Sequence, residues 1–209
     1  MDPRFAEIVG TEAELRALIG HPAEAVVRSR LATLDRHCRA YIARSPFVVV
    51  ATADGAGELD VSPKGDPPGF VRVLDDATLA IPERPGNRRA DTFSNLLQNP
   101  HVALVFLIPG KRETLRVSGT AIIVRDRWLC DAMAVAGKPP ALALVVTIRE
   151  VSIHCAKCIV RSKLWDPLHW PDLEGLPSLA QAIVDQANLD ASPAQVQAFI
   201  DDDERERLY

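Results

Sequence analysis

No run of apolar residues in this chain approaches the length needed to cross a bilayer. The first stretch, MDPRFAEIVG, lacks the basic and apolar regions of a secretory leader. Both absences predict a cytoplasmic protein with no membrane partner. Basic residues are not in excess: 24 Lys and Arg against 28 Asp and Glu leave a net charge of −4. A nucleic-acid partner, which calls for a basic footprint, is therefore not expected. Four cysteines in 209 residues do not make a disulfide framework, which fits a reducing compartment. The familiar catalytic grammars are also missing: there is no Gly-x-Ser-x-Gly, no P-loop, no His-Glu-x-x-His and no Gly-x-Gly-x-x-Gly between strand and helix. No side chain stands out as a general acid, so no catalytic residue is assigned.

What is present is ordinary globular composition, 47% hydrophobic and 25% charged, enough for one sizeable core with terminal additions. The pattern divides into an N-terminal helical segment over 1–45, a strand-rich body over 46–170 and a helical tail over 171–209. Thr11 and Glu14 form a capping box for a short helix ended by Gly20. Apolar residues from Val26 to Ile42 recur at helical spacing and predict one longer helix from Pro22 to Arg44.

After Ser45-Pro46 the period drops to two. Phe47–Ala53 reads as a strand buried on both faces for most of its length, turned by Asp54-Gly55-Ala56-Gly57 into a return strand from Leu59 to Ser62. Phe70–Leu74 and Thr78–Ile81 make a second hairpin, and His101–Ile108 with Thr114–Val124 a third. A short helix near Asp126–Ala134 precedes a last strand from Leu142 to Ile153. Strands joined mostly by hairpins favour an antiparallel barrel. In the tail, two helices split near Ser192-Pro193, and the acidic run Asp201–Glu204 reads as solvated or frayed.

Three stretches could carry chemistry. Arg84-Pro85-Gly86-Asn87-Arg88-Arg89 sets three guanidinium groups beside a Pro-Gly corner, directly before a helix that Asp91 or Thr92 can cap and that runs to about Gln98. Arginine's donor fork matches two phosphate oxygens at once, and a helix start adds free N–H groups, so this turn is a candidate anion cradle. Asp60–Gly69 is a proline-stiffened strand end that would hold Ser62 and Lys64 in place. In His154–Trp165, Cys155 and Cys158 invite a zinc or dithiol reading. Structural zinc normally needs four ligands, however, and a thioredoxin-like pair would want a βαβ context. No metal ligand is assigned. Arg161 and Trp165, four apart, share a face if this segment is helical, and could clamp a planar heterocycle.

GNRRADTFSNLLQNPHVALVF resembles the FMN-binding split barrels, the pyridoxamine 5'-phosphate oxidase-like class, in which a basic turn precedes a helix ending in Asn-Pro and a central barrel strand. The likeness runs more loosely from about Phe47 to Trp165, and HCAKCIVRSKLWDP also looks like the end of the probable FMN-dependent members. It implies an α+β, mainly β fold: an antiparallel split β-barrel with N-terminal helices, a helix between strands and a helical C-terminal tail. It also implies a homodimer binding FMN at its interface, with Asn87, Arg88 and Arg89, and less directly Arg84, on the phosphate. Ser62 and Lys64 would line the ring or ribityl side, Thr114 and Arg116 would come from the neighbouring subunit, and Arg161 and Trp165 would close the site.

The activity implied is hydride transfer between reduced FMN and a small organic molecule, with NAD(P)H or oxygen as the other partner. The vitamin oxidases end in an Arg-Leu-x-Pro-type signature, whereas here the matching region reads Arg161-Ser-Lys-Leu164-Trp-Asp-Pro167, which sets the substrate apart. A deazaflavin-dependent reductase and a non-catalytic flavin- or heme-binding barrel remain as alternatives within the fold, and a zinc or thiol-redox module outside it.

Overall fold

The computed structural model describes residues 4–209. In chain order the elements are α1 (Glu12–Ile19), α2 (Glu24–Arg28), α3 (Arg36–Ile42), β1 (Phe47–Ala53), β2 (Leu59–Gly65), β3 (Arg72–Val73), β4 (Thr78–Pro82) and α4 (Asp91–Leu96). There follow β5 (His101–Leu107), β6 (Thr114–Val124), α5 (Arg127–Ala132), β7 (Ala143–His154), α6 (Lys157–Ser162), a 3-10 turn at Pro167–His169, α7 (Leu179–Ala187) and α8 (Pro193–Arg207). Among these described residues no helix is long and apolar enough to cross a membrane.

The seven strands form one sheet in the order β2-β1-β5-β6-β7-β4-β3, with every pair antiparallel. Period-two alternation decides which side of each strand is covered: Val102, Leu104 and Phe106 of β5 point inward, as do Leu115 and Val117 of β6. Val48 and Val50 of β1 share a single cluster with Leu79 and Ile81 of β4, from the other half of the sheet. The sheet therefore curls around one core and stays open between edge strands β2 and β3. This is the expected antiparallel split barrel, mainly β with flanking helices.

A bulge between Ser118 and Gly119 bends β6 where it crosses β7. Only glycine fits there, because a Cβ at 119 would stand 1.9 Å from the carbonyl oxygen of Thr147. Tyr41 fixes α3 to the barrel by donating its hydroxyl to the Glu113 carbonyl at 2.7 Å.

Several elements differ from the sequence reading. The single helix expected from Pro22 to Arg44 is two, because Leu31 exchanges backbone hydrogen bonds with Val151 at 2.9 and 2.8 Å and so cannot take part in a helical ladder. Asp35 then caps α3 by accepting from the Cys38 N–H at 2.8 Å. Val26 and Val27 stay exposed, while Cys38, Tyr41 and Ile42 are buried. Strand β1 is fully buried on one face only; Val49, Ala51 and Ala53 on the other are half-buried. The acidic run of the tail is helical, pinned by Arg207 on Asp203 and by Gln197 on Asp201.

Candidate functional site

Beside edge strand β2 lies a cleft of about 910 Å³. Its walls are β2 from Asp60 to Gly65, the segment from Pro82 to Phe93, the Lys138–Leu142 loop, and Leu208 and Tyr209 of the tail. Six of the ten sequence-predicted residues line it, Ser62, Lys64, Arg84, Asn87, Arg88 and Arg89, and the other four, Thr114, Arg116, Arg161 and Trp165, do not.

Ser62 and Lys64 lie on β2 itself, which continues to Gly65 rather than ending at Ser62 as the sequence suggested. Pro63 can be accommodated because β2 is an edge strand, where a missing N–H breaks no ladder on the open side. Asp60, Ser62 and Lys64 alternate as the half-buried face of β2. Thr92 donates to Asp60 Oδ2 at 3.2 Å, joining this face to α4. Lys64 Nζ lies 3.0 Å from Glu83 Oε2 and 5.7 Å from the centre of the Phe93 ring. Ser62 makes no side-chain hydrogen bond among the described residues, leaving its hydroxyl open to the cleft.

The basic turn is wound against local preference. Arg88 has φ 61° and Ala90 φ 58°, left-handed conformations that cost a non-glycine residue roughly 1 to 2 kcal/mol. Asn87 holds the turn by accepting from the Arg89 N–H at 3.0 Å. Helix α4 begins with Asp91, its N-cap is the left-handed Ala90, and no side chain caps it. The expected cap by Asp91 or Thr92 is therefore absent: the Asp91 carboxylate is 2.8 Å from Arg89 Nε, and the Thr92 hydroxyl is spent on Asp60. At six residues the helix is also shorter than expected, so side chains rather than a helix start must supply the positive charge.

The three arginines have separate environments. Arg84 is 14% exposed and sits with Nε 2.6 Å from Oδ2 of Asp66, whose side chain is 1% exposed. Another of its nitrogens donates to the Met133 carbonyl at 2.8 Å. Arg84 is thus largely committed within the fold, whatever it adds to ligand binding. Arg89 is 72% exposed and shares Asp91. Arg88 is exposed, lines the cleft and has no side-chain hydrogen bond or ion pair among the described residues.

Tyr209 enters the cleft from the tail. Its hydroxyl donates to Asp66 Oδ1 at 2.8 Å, and its ring lies 5.5 Å from the Arg84 guanidinium carbon. The hydrogen bond to Asp66 pushes the phenol above its ordinary range, so it remains a donor at neutral pH. Lys138 donates to the Tyr209 main-chain oxygen at 2.9 Å.

The other predicted residues lie outside this cleft. Thr114 is 7% exposed in β6. Arg116 is exposed on the outer face of that strand and borders a second hollow of about 280 Å³, with Arg30, Glu150 and His154. Helix α6 ends at Ser162, followed by left-handed Lys163, so Arg161 and Trp165 do not share a helical face as anticipated. The Trp165 indole N–H donates to the Lys111 carbonyl at 2.8 Å. Cys155 and Cys158 are exposed free thiols, and no group of three or more His, Cys, Asp or Glu among the described residues could hold a metal ion.

Sequence reasoning missed Asp60, Glu83, Lys138 and Tyr209. The first was readable as the next alternate position before Ser62 and Lys64. The others depend on contacts between distant segments.

Among solved structures, HupZ of Group A Streptococcus is 20% identical, with 56% of this chain and 91% of that one aligned at a TM-score of 0.46. A Lactobacillus delbrueckii protein described as a candidate pyridoxamine 5'-phosphate oxidase is 25% identical over 58% of this chain and 94% of its own, at 0.47. The heme storage protein HutZ of Vibrio cholerae is 15% identical over 57% and 92%, at 0.40. No curated protein matches the chain significantly. The family model described as pyridoxamine 5'-phosphate oxidase matches residues 34–155, more than half of the chain, spanning α3, all seven strands and three of the four walls of the cleft. The chain belongs to the pyridoxamine 5'-phosphate oxidase family.

Proposed function

We propose that the cleft binds FMN non-covalently and that the protein is a flavin-dependent oxidoreductase acting on a small organic molecule, with NAD(P)H or oxygen as the second partner. One observation carries this reading: Arg88 stands in the cleft on a strained turn with no side-chain partner among the described residues. A charge held in place at a conformational cost and left uncommitted suits a ligand phosphate. Arg89 and the turn backbone at Asn87 flank it. The volume of about 910 Å³ lies within the range of small-molecule and cofactor sites.

Ser62 and Lys64, on the inner face of β2, would meet the ring or ribityl part. Bound flavin would supply the hydride chemistry, and the chain's part is to hold and orient it.

Thr114, Arg116, Arg161 and Trp165 lie away from the cleft of their own chain, so their part in the site requires a second copy. Arg116 and Arg161 have no side-chain ion pair or hydrogen bond among the described residues, which supports a contact made across a homodimer. Sedimentation of the purified protein tests this, with a monomer as the overturning result.

The cofactor is tested by the visible absorption spectrum, with chromatography of what acid releases. Oxidised-flavin bands and released FMN are expected. A deazaflavin in the released material would favour the reductase alternative. A colourless protein that fails to take up added FMN would overturn the reading.

A further inference from the structure

The tail helices hold an uneven grip on the barrel. Helix α8 buries none of its residues, and its packing partner is α7. Yet the residues just beyond α8 reach the cleft, and there Tyr209 makes three contacts: its hydroxyl on Asp66, its ring over Arg84, and its main-chain oxygen on Lys138. Asp66 is a nearly inaccessible carboxylate whose two oxygens have separate partners, Oδ2 with Arg84 and Oδ1 with Tyr209. A hydrogen bond to a charged, shielded acceptor is one of the stronger kinds available to a neutral hydroxyl.

We propose that Tyr209 is the latch that holds the tail over the cleft, and that the latched tyrosine forms one wall of the ligand site. The inference rests on the proposed flavin reading for the identity of the ligand, though not for the latch itself. Tyr209 acts as a wall and not as a plug, because the cleft retains its volume of about 910 Å³ with the phenol already docked. A ligand therefore occupies the cleft beside the docked ring and not in its place, and it passes in and out when the latch opens. The preferred ligand has a planar aromatic part, since the latch presents Arg84 and the Tyr209 ring together, and both stack readily on flat π systems.

Two full-length variants separate the parts of the proposal. Tyr209→Phe keeps the ring and removes the hydroxyl; Tyr209→Ala removes both. Amide hydrogen exchange without flavin reads the latch. Exchange in the last turn of α8 is expected to quicken in both variants, while protection of β5 and β6 stays as in wild type. Unchanged exchange in Tyr209→Ala overturns the latch.

FMN release measured by stopped flow reads the wall. Losing one charge-assisted hydrogen bond corresponds to roughly tenfold faster release in Tyr209→Phe, with a larger effect in Tyr209→Ala. Release at the wild-type rate in Tyr209→Ala overturns the wall even where the latch stands. A wild-type protein that binds no FMN overturns the proposed cofactor, and the exchange comparison still decides the latch.

Discussion

Arg84 and Asp66 face each other with Nε 2.6 Å from Oδ2, and both side chains are withdrawn from solvent. Arg88, four residues later, lines the same cleft with no such partner among the described residues. One turn thus carries a structural cation and an uncommitted one, and substitution should separate them. Arg84→Ala strands a shielded carboxylate, and breaking such a pair costs about 3 to 5 kcal/mol. Arg88→Ala should change stability by no more than about 0.5 kcal/mol yet weaken FMN binding roughly 10- to 100-fold, as expected for a charge-assisted phosphate contact. Denaturant melts and flavin titrations of the two variants check the contrast. The double variant Arg88→Ala/Arg89→Ala should lose FMN while keeping the barrel; tight retention would refute the phosphate site.

The β6 bulge yields a second prediction. A methyl group at 119 would collide with the Thr147 carbonyl, which belongs to the backbone of a central strand and cannot swing aside. Gly119→Ala should therefore destabilise the fold by more than about 3 kcal/mol, beyond the usual range for a point substitution. Thermal unfolding of the variant measures it. A shift of a degree or two would mean that the bulge relaxes.

Asp35 gives a pH-dependent test. The Cys38 N–H on its carboxylate holds that group below its ordinary range. A lowered folded-state pKa contributes stability above the unfolded value, near 4, and loses it as pH falls through the folded value. Asp35→Ala should cost about 1 kcal/mol at neutral pH. The gap between variant and wild type should close below about pH 4, as read from urea melts across that range.

The thiols divide by burial. Cys38 is pushed up to about 11, first by burial and then by its hydrogen bond with Asp35, and burial also raises Cys130. Alkylation at pH 8 should modify Cys155 and Cys158 in the native protein and reach Cys38 and Cys130 only on unfolding. Mass spectrometry of peptides after timed iodoacetamide exposure distinguishes the pairs. Rapid native labelling of Cys38 would contradict the packing of α3.

The barrel was legible because its signals are local. Period-two alternation in His101–Leu107 and Thr114–Val124, together with turn residues at Asp54–Gly57 and Pro109–Arg112, places the hairpins with little help from the rest of the chain. The helix expected over Pro22–Arg44 failed for the opposite reason. A run with good helical spacing was interrupted by Leu31 bonding to Val151, a partner far along the chain. The same limit applies to the cleft. Arg88, Asn87 and Ser62 could be picked from side-chain type and spacing, whereas the division of labour among the arginines depends on Asp66 and Met133, which no spacing rule pairs with Arg84.

The left-handed geometry at Arg88 and Ala90 has a kinetic consequence. A loop already wound into its working shape has little ordering left to do when a ligand arrives, so capture should proceed at a rate governed by encounter and orientation. The same winding is a store of unspent stability. Ala90→Gly would release part of it, giving a sturdier chain with a slacker grip, and natural selection for tight binding would be expected to resist that exchange.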